Sequence, residues 1–184
     1  MQEISLNVMD IVQNSIKAKA NHIMISININ TNEDFLNVTI EDNGKGMSRE
    51  QLKKVNDPFY STRTTRKVGL GIPFFKHAVE CTGGRFQVDS FLGRGTIIFA
   101  NLVLSHIDRM PLGDIVSTIH LLITMNPNIN FIYKYKLNNK EFSLDTNDLH
   151  DILGDIPFNV TEVSRFIKEY LRKQHDIINE DEYI

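Results

Sequence analysis

From His22 to Asn30 the chain alternates without a break, placing Ile23, Ile25, Ile27 and Ile29 on one side and polar residues or Met24 on the other. A period of two belongs to a β-strand, in which successive side chains point to opposite faces. Thr31-Asn32-Glu33-Asp34 supplies turn-forming residues, and Phe35–Glu41 returns as a second strand. These two runs predict a β-hairpin with one buried face. Whatever else the chain builds must cover those isoleucines.

The flanking segments supply helices. From Ile4 to Lys19, Leu6, Met9, Val12 and Ile16 recur at helical spacing, with Val8, Ile11 and Ala20 widening the stripe. After the hairpin, Ser48-Arg49-Glu50-Gln51 has the spacing of a capping box and predicts a short helix that stops by Asp57-Pro58. Residues 57–68 are polar, cationic and aperiodic, which reads as a loop, and Gly69-Leu70-Gly71 opens a helix to about Thr82 that Gly83-Gly84 stops. Strands over Arg85–Phe91 and Thr96–Leu104 follow, joined by Leu92-Gly93-Arg94-Gly95. Beyond Ser105 the expectations are a helix with Pro111 at its first position running to about Met125, a hairpin of Phe131–Lys136 and Glu141–Leu144 around Asn138-Asn139, and a short helix to Leu153-Gly154. A last helix is marked by Val160, Val163, Ile167, Tyr170 and Leu171, and the acidic tail from His175 to Ile184 is expected to fray.

The net charge of −3 is divided unevenly. Residues 1–104 hold 12 Lys and Arg against 10 Asp and Glu, and residues 105–184 hold 8 against 13. That asymmetry suggests two segments, 1–104 and 105–184, neither basic enough to predict nucleic-acid binding by charge. With no charged-then-apolar leader and no apolar run near the roughly 20 residues that span a bilayer, a soluble cytoplasmic chain with no membrane contact is expected. Cys81, the one cysteine, has no partner for an internal disulfide, which agrees with a reducing compartment. It reads as a small apolar residue on a helix.

Four features of residues 1–104 stand in a telling order. Asp10 and Asn14 lie one turn apart on the first helix and share a face. Next comes Ile40-Glu41-Asp42-Asn43-Gly44-Lys45-Gly46-Met47, an acidic residue ending a strand with two glycines at once behind it. Then a cationic loop leads to Gly69-Leu70-Gly71, and Gly93-Arg94-Gly95-Thr96 comes last. In this order and spacing, residues 1–104 resemble the Bergerat-fold ATPases, the group containing DNA gyrase, the large heat-shock chaperone, histidine kinases and the mismatch-repair ATPase. DIVQNSIKAKA matches the N box, EDNGKGM the first glycine box, DPFYSTR the segment before the lid, GLGI the second glycine box and GRGT the last. The implied fold is α+β, an α/β sandwich whose mixed sheet carries helices on one face, with residues 105–184 as a small α+β appendage.

The resemblance implies ATP and Mg²⁺ as cofactors. The family's aspartate matching Asp42 contacts the adenine amino group, and a carboxylate acceptor there selects adenine over guanine, with Gly44 and Gly46 letting the base approach the backbone and Met47 closing the box. Thr96 is expected to join Asp42, directly or through water. Gly69, Leu70 and Gly71 present N–H groups at a helix start suited to phosphate, and Arg63, Arg66 and Lys67 supply cations, so residues 57–68 are a candidate lid. Lys67 stands where many histidine kinases have the first glycine of their lid motif. Asn14 offers a neutral oxygen to Mg²⁺. Asp10 falls where hydrolytic members carry a glutamate that activates water; aspartate is one methylene shorter, and its role as general base stands against a helix-face carboxylate that holds the Mg²⁺ shell or is simply solvated.

Three functions follow as readings: a Mg²⁺-dependent regulatory ATPase or kinase-like module, a non-hydrolysing anti-sigma-like interaction module, or an atypical histidine kinase. The last rests on His106, because Ser105-His106-Ile107-Asp108-Arg109-Met110-Pro111-Leu112 shares Ser, His, Arg, Pro and Leu with the kinase H box. It lies after the ATPase segment instead of before it, and Ile107 replaces the usual acid. His22, His77, His120, His150 and His175 lack metal-ligand spacing, and no Walker-type loop is present. For residues 105–184 a protein partner or a second copy is the expected contact.

Overall fold

The computed structural model describes residues 3–55, 71–154 and 156–180. The expected lid at 57–68 with Arg63, Arg66 and Lys67 lies outside the described residues, as do Gly69 and Leu70. In chain order the elements are α1 (Ile4–Lys17), β1 (His22–Asn30), β2 (Phe35–Asp42), α2 (Arg49–Lys54), α3 (Gly71–Cys81), β3 (Arg85–Phe91) and β4 (Gly95–Val103). Then come α4 (Ile115–Met125), β5 (Asn130–Leu137), β6 (Lys140–Asp145), α5 (Thr146–Leu153) and α6 (Thr161–Asn179).

The strands form one six-stranded sheet in the order β3-β4-β2-β1-β5-β6. Every neighbouring pair is antiparallel except β1 and β5, which run parallel, so the sheet is mixed. The alternation that predicted β1 is also the alternation of its burial: Ile23, Ile25, Ile27 and Ile29 are at most 1% exposed. Each such side chain contributes roughly 1.5–3 kcal/mol by leaving water. Register extends their face across the sheet, for Ile25 sits between Ile40 and Tyr133, and Ile27 between Val38 and Tyr135. Helices pack on that face, and residues from α1, α3, α4 and α6 join the strands in one hydrophobic core. The expected α/β sandwich with a mixed sheet is the fold observed.

Residues 105–184 add β5 and β6 to the same sheet, and their apolar side chains enter the same core. The 104/105 division is therefore one of sequence, across which the sheet is continuous. The link between the halves explains one departure from expectation. Pro111 does not begin α4, which starts at Ile115 behind Asp114, whose Oδ1 accepts from the Ser117 N–H at 2.9 Å. The carbonyls of Pro111 and Leu112 instead accept from the N–H groups of Ile4 and Ser5, at 3.0 and 2.9 Å. The first turn of α1 needs such acceptors, because its cap residue Glu3 makes no side-chain capping bond. By contrast, the capping box at Ser48 and Gln51 forms as its spacing predicts.

Cys81 is exposed instead of apolar packing, with the His77 imidazole Nε2 at 3.5 Å from its sulfur one helical turn away. No helix among the described residues is long and apolar enough to cross a membrane.

Over the described part of the tail the expected fraying from His175 does not occur; residues 181–184 lie outside the described residues. α6 continues to Asn179, with His175 only 5% exposed and Ile178 4%. His175 stacks on the rings of Tyr133 and Tyr135, its Nε2 is 2.9 Å from the Tyr133 hydroxyl, and the Tyr135 hydroxyl donates to Asn179 Oδ1 at 3.0 Å. Burial lowers the His175 pKa to about 4, with the neighbouring Asp176 pulling the other way. The unfolded chain takes up this proton near the ordinary value of 6.5, the folded chain only near 4. Stability is therefore full above that ordinary value and falls as pH drops toward the folded one, by as much as about 3 kcal/mol. Denaturant titrations of wild type and His175→Gln at neutral and mildly acidic pH should show the steeper acid loss in wild type; parallel losses would place the acid sensitivity elsewhere.

Candidate functional site

On the helix-covered face, one cross-strand row changes character along its length. From the middle of the sheet outward it reads Phe131, Ile23, Asp42, Thr96, Ser90. Ile23 and Phe131 are core, while the three polar members carry the same inward parity into the end of the sheet at β2, β4 and β3. Asp42 is 8% exposed. A buried carboxylate needs hydrogen-bond donors, and two are built in: Ser15 Oγ donates to Oδ2 at 2.6 Å and the Gly44 N–H donates to Oδ1 at 2.8 Å. Each oxygen retains acceptor capacity beyond these bonds, so Asp42 is held in place and still seeks a donor.

The loop behind Asp42 is pinned from three sides. Asn43 Oδ1 accepts from the N–H groups of Asn21 and His22, both at 3.0 Å, and its amide donates to Asn21 Oδ1 at 2.6 Å. Lys45 N–H donates to the Ala18 carbonyl at 2.9 Å, and Met47 N–H to Ser90 Oγ at 2.9 Å. The glycines between are required by space. A Cβ on Gly44 would lie 2.9 Å from the Ala18 carbonyl oxygen and 3.0 Å from Asp42 Oδ1. Gly46 has φ +63° and its Cβ would fall 2.0 Å from the Phe91 carbonyl oxygen, inside any permitted contact.

α1 presents the other half of the site. Asp10 is exposed and Asn14 half-buried, one turn apart. Gly71, at the start of α3, packs against Asp10: a Cβ there would sit 3.2 Å from Asp10 Cβ and 3.4 Å from its Oδ2. Ser15, the neighbour of Asn14, ties α1 directly to Asp42. The structure thus joins Asp42 to Gly44 and Thr96, and Asp10 to Gly71, with Asn14 between the two groups along α1. Gly46 and Met47 belong to the loop held by Ser90. Among the described residues no three His, Cys, Asp or Glu side chains gather as a metal cluster. The half-buried Asn14 amide oxygen is a neutral donor of the type Mg²⁺ accepts.

Three residues escaped the sequence reading: Ser15, Asn43 and Ser90. Two carried a signal. Ile4, Val8 and Ile11 are buried on α1, and the next position of that stripe is Ser15, a hydroxyl where an apolar residue belongs. Ser90 continues the inward parity of Phe86 and Val88 on β3. A polar residue on an apolar face marks a partner waiting inside.

His106 lies elsewhere. It follows β4 at the end opposite Thr96, beside the β1–β2 turn, where Asp34 accepts from Ser105 N–H at 2.8 Å. The strand from Thr96 to Val103 alone spans on the order of 24 Å. His106 Nδ1 accepts from the Asp108 N–H at 3.1 Å. The H-box-like stretch and the Asp42 site are at opposite ends of the sheet.

Comparison with known proteins places this geometry. Residues 3–106 match the family described as histidine kinase-, DNA gyrase B-, and HSP90-like ATPase. The sensor histidine kinase WalK of Bacillus subtilis is 33% identical over 96 residues, 48% of this chain and 16% of that protein. The sensor protein kinase FleS of Pseudomonas aeruginosa is 33% identical over 108 residues, 59% of this chain and 26% of that protein. The chain therefore matches only a minor part of these kinases' length. Among solved structures, the Aquifex aeolicus MutL ATPase domain complexed with ADP superimposes with a TM-score of 0.51 at 14% identity, covering 83% of this chain and 69% of that one. The N-terminal domain of a DNA repair protein gives 0.56 at 16% identity, covering 79% and 53%; both share the fold. With its order of motifs, its one-sided mixed sheet and a family match over more than half its residues, the chain belongs to the histidine kinase-, DNA gyrase B- and HSP90-like ATPases.

Proposed function

We propose that this chain binds an adenine nucleotide with Mg²⁺ and serves in the cytoplasm as a regulatory ATPase or kinase-like module. The observation that carries the reading is Asp42: a buried carboxylate, fixed by Ser15 and Gly44, opposite Thr96 and at the floor of a loop whose glycines leave no room for side chains. Such an acceptor suits the exocyclic amine of adenine, and Gly44 and Gly46 suit the close approach of a flat base. The ADP bound to the MutL neighbour supports the same ligand class. Asn14 would hold Mg²⁺, which when bound would neutralise phosphate charge. Gly71, with Gly69, Leu70, Arg63 and Lys67 of the segment before it, would take the phosphates. Asp10, against the Gly71 backbone, is proposed as the base that orients water. Residues 105–184 are proposed to meet a protein partner or a second copy, supported by the exposed Leu121 and Met125 on α4 and Phe166 on α6.

Asp42→Asn keeps the size of the side chain but turns one of its two acceptor oxygens into an NH₂ donor. Since a hydrogen bond to a charged group is worth about 1.5–3 kcal/mol, calorimetric titration should show ADP binding weakened by at least about tenfold, with the melting temperature little changed. Unaltered affinity would sink the site assignment.

Whether the bound nucleotide turns over is read with γ-labelled ATP and Mg²⁺ on wild type, Asp10→Asn and His106→Ala. The expected result is slow phosphate release, lost in Asp10→Asn and retained in His106→Ala. Label retained on the protein and lost in His106→Ala would make it a kinase acting between molecules, since His106 stands at the far end of the sheet. Binding with neither signal would leave the anti-sigma-like interaction module.

A further inference from the structure

Ser90 is a buried hydroxyl at the end of β3, and two of its three hydrogen bonds fix the direction of the third. It accepts from the Met47 N–H at 2.9 Å, lies 2.9 Å from the Gly95 carbonyl, to which it donates, and lies 2.9 Å from Thr96 Oγ1. A serine hydroxyl has one hydrogen and two lone pairs. The hydrogen goes to Gly95, which can only accept, and one lone pair goes to Met47, which can only donate. What remains for Thr96 is a lone pair, so the Thr96 hydroxyl must spend its own hydrogen on Ser90. Thr96 then turns only acceptor capacity toward its cross-strand partner Asp42, which, as a carboxylate, also only accepts.

We propose that Ser90 is a specificity-determining positioning residue: by locking the Thr96 hydroxyl as an acceptor, it makes the base-reading corner reject a purine carbonyl where it admits an amine. The inference rests on the adenine-nucleotide reading above and deepens it. An amine placed at this corner meets lone pairs it can donate to. A carbonyl oxygen in the same place meets lone pairs alone from Asp42 and Thr96, neither of which can turn a donor toward it, and loses the pairing that an amine gains there. If the Thr96 hydroxyl were free to rotate, it could donate to that carbonyl and the penalty would shrink. Selectivity thus comes from the Thr96 hydroxyl, held in the wrong direction for the competitor by Ser90, one strand further from Asp42.

The test compares ADP with inosine diphosphate, which carries a carbonyl in place of the amine, by calorimetry on the full chain. Wild type should prefer ADP. In Ser90→Ala the ratio of the two dissociation constants should fall by about fivefold, the worth of one neutral hydrogen bond. In the double variant Ser90→Ala, Thr96→Val the ratio should recover, because the freed donor is gone. General loosening of the loop predicts no recovery, since the second change removes a further hydroxyl. Ser90→Cys, which keeps the bulk and weakens the bonds, gives the same reading should the alanine variant not fold. An unchanged ratio in variants that still bind ADP, or a fall that Thr96→Val does not reverse, would overturn the role of Ser90 while leaving the nucleotide site in place. Failure of wild type to bind ADP at all would overturn the nucleotide reading and this inference with it.

Discussion

The sheet has one dry face, and side-chain parity decides what can reach it. Because successive residues on a strand alternate sides, the residues that share a face with Ile25 and Ile27 are fixed for every strand in register with β1. Asp42 occupies a position of that parity at the end of β2. A slip of one residue would carry Asp42 to the open face and bring Glu41 or Asn43 inside. The long apolar registers of β1 with β2 and β5 therefore do more than stabilise: they hold the carboxylate in the row where Ser15, Thr96 and Ser90 can reach it or its neighbours.

The parts that local physics controls were legible in the sequence. A strict period of two gave β1, the serine-to-glutamine spacing gave the cap of α2, and Asp42-Asn43-Gly44 announced a strand ending in a constrained turn. Contacts between segments distant in the chain were not legible. Nothing near Pro111 says that its carbonyl will cap α1, more than 100 residues earlier in sequence. A proline at that place fits a helix start equally well, and the choice was made by an unsatisfied donor elsewhere. His175 was misread for a related reason. An acidic, polar tail looks solvated when read alone, yet the two tyrosines of β5 offer it rings to stack on and a hydroxyl to bond.

The site shows the same boundary between what composition signals and what packing decides. Asp10, Asn14, Asp42, Gly44, Gly46 and Thr96 carry recognisable chemistry at recognisable spacing. Ser15, Asn43 and Ser90 do not, because serine and asparagine are common and their value depends on what they face. Asn43 reads as a turn residue, and in the fold it fastens the Asp42 loop to the α1–β1 connection with three hydrogen bonds. The segment outside the described residues, 56–70, held the cationic candidates, so of the residues proposed to take phosphate only Gly71, in contact with Asp10, is described.

The position of residues 105–184 gives them a mechanical relation to the site. Their first stretch caps the N-terminus of α1 through Pro111 and Leu112, their first helix packs on α1, and their first strand lies beside β1. α1 is the element that bears Asp10, Asn14 and Ser15. A helix so clamped shifts as a body when its neighbours shift, because packed interiors transmit displacement instead of absorbing it. If residues 105–184 receive a partner as proposed, one seated on α4 would reach Asp10 and Asn14 through α1. A nucleotide held against Asp10 and Asn14 as proposed would act outward along the same helix, since coupling between two sites is reciprocal.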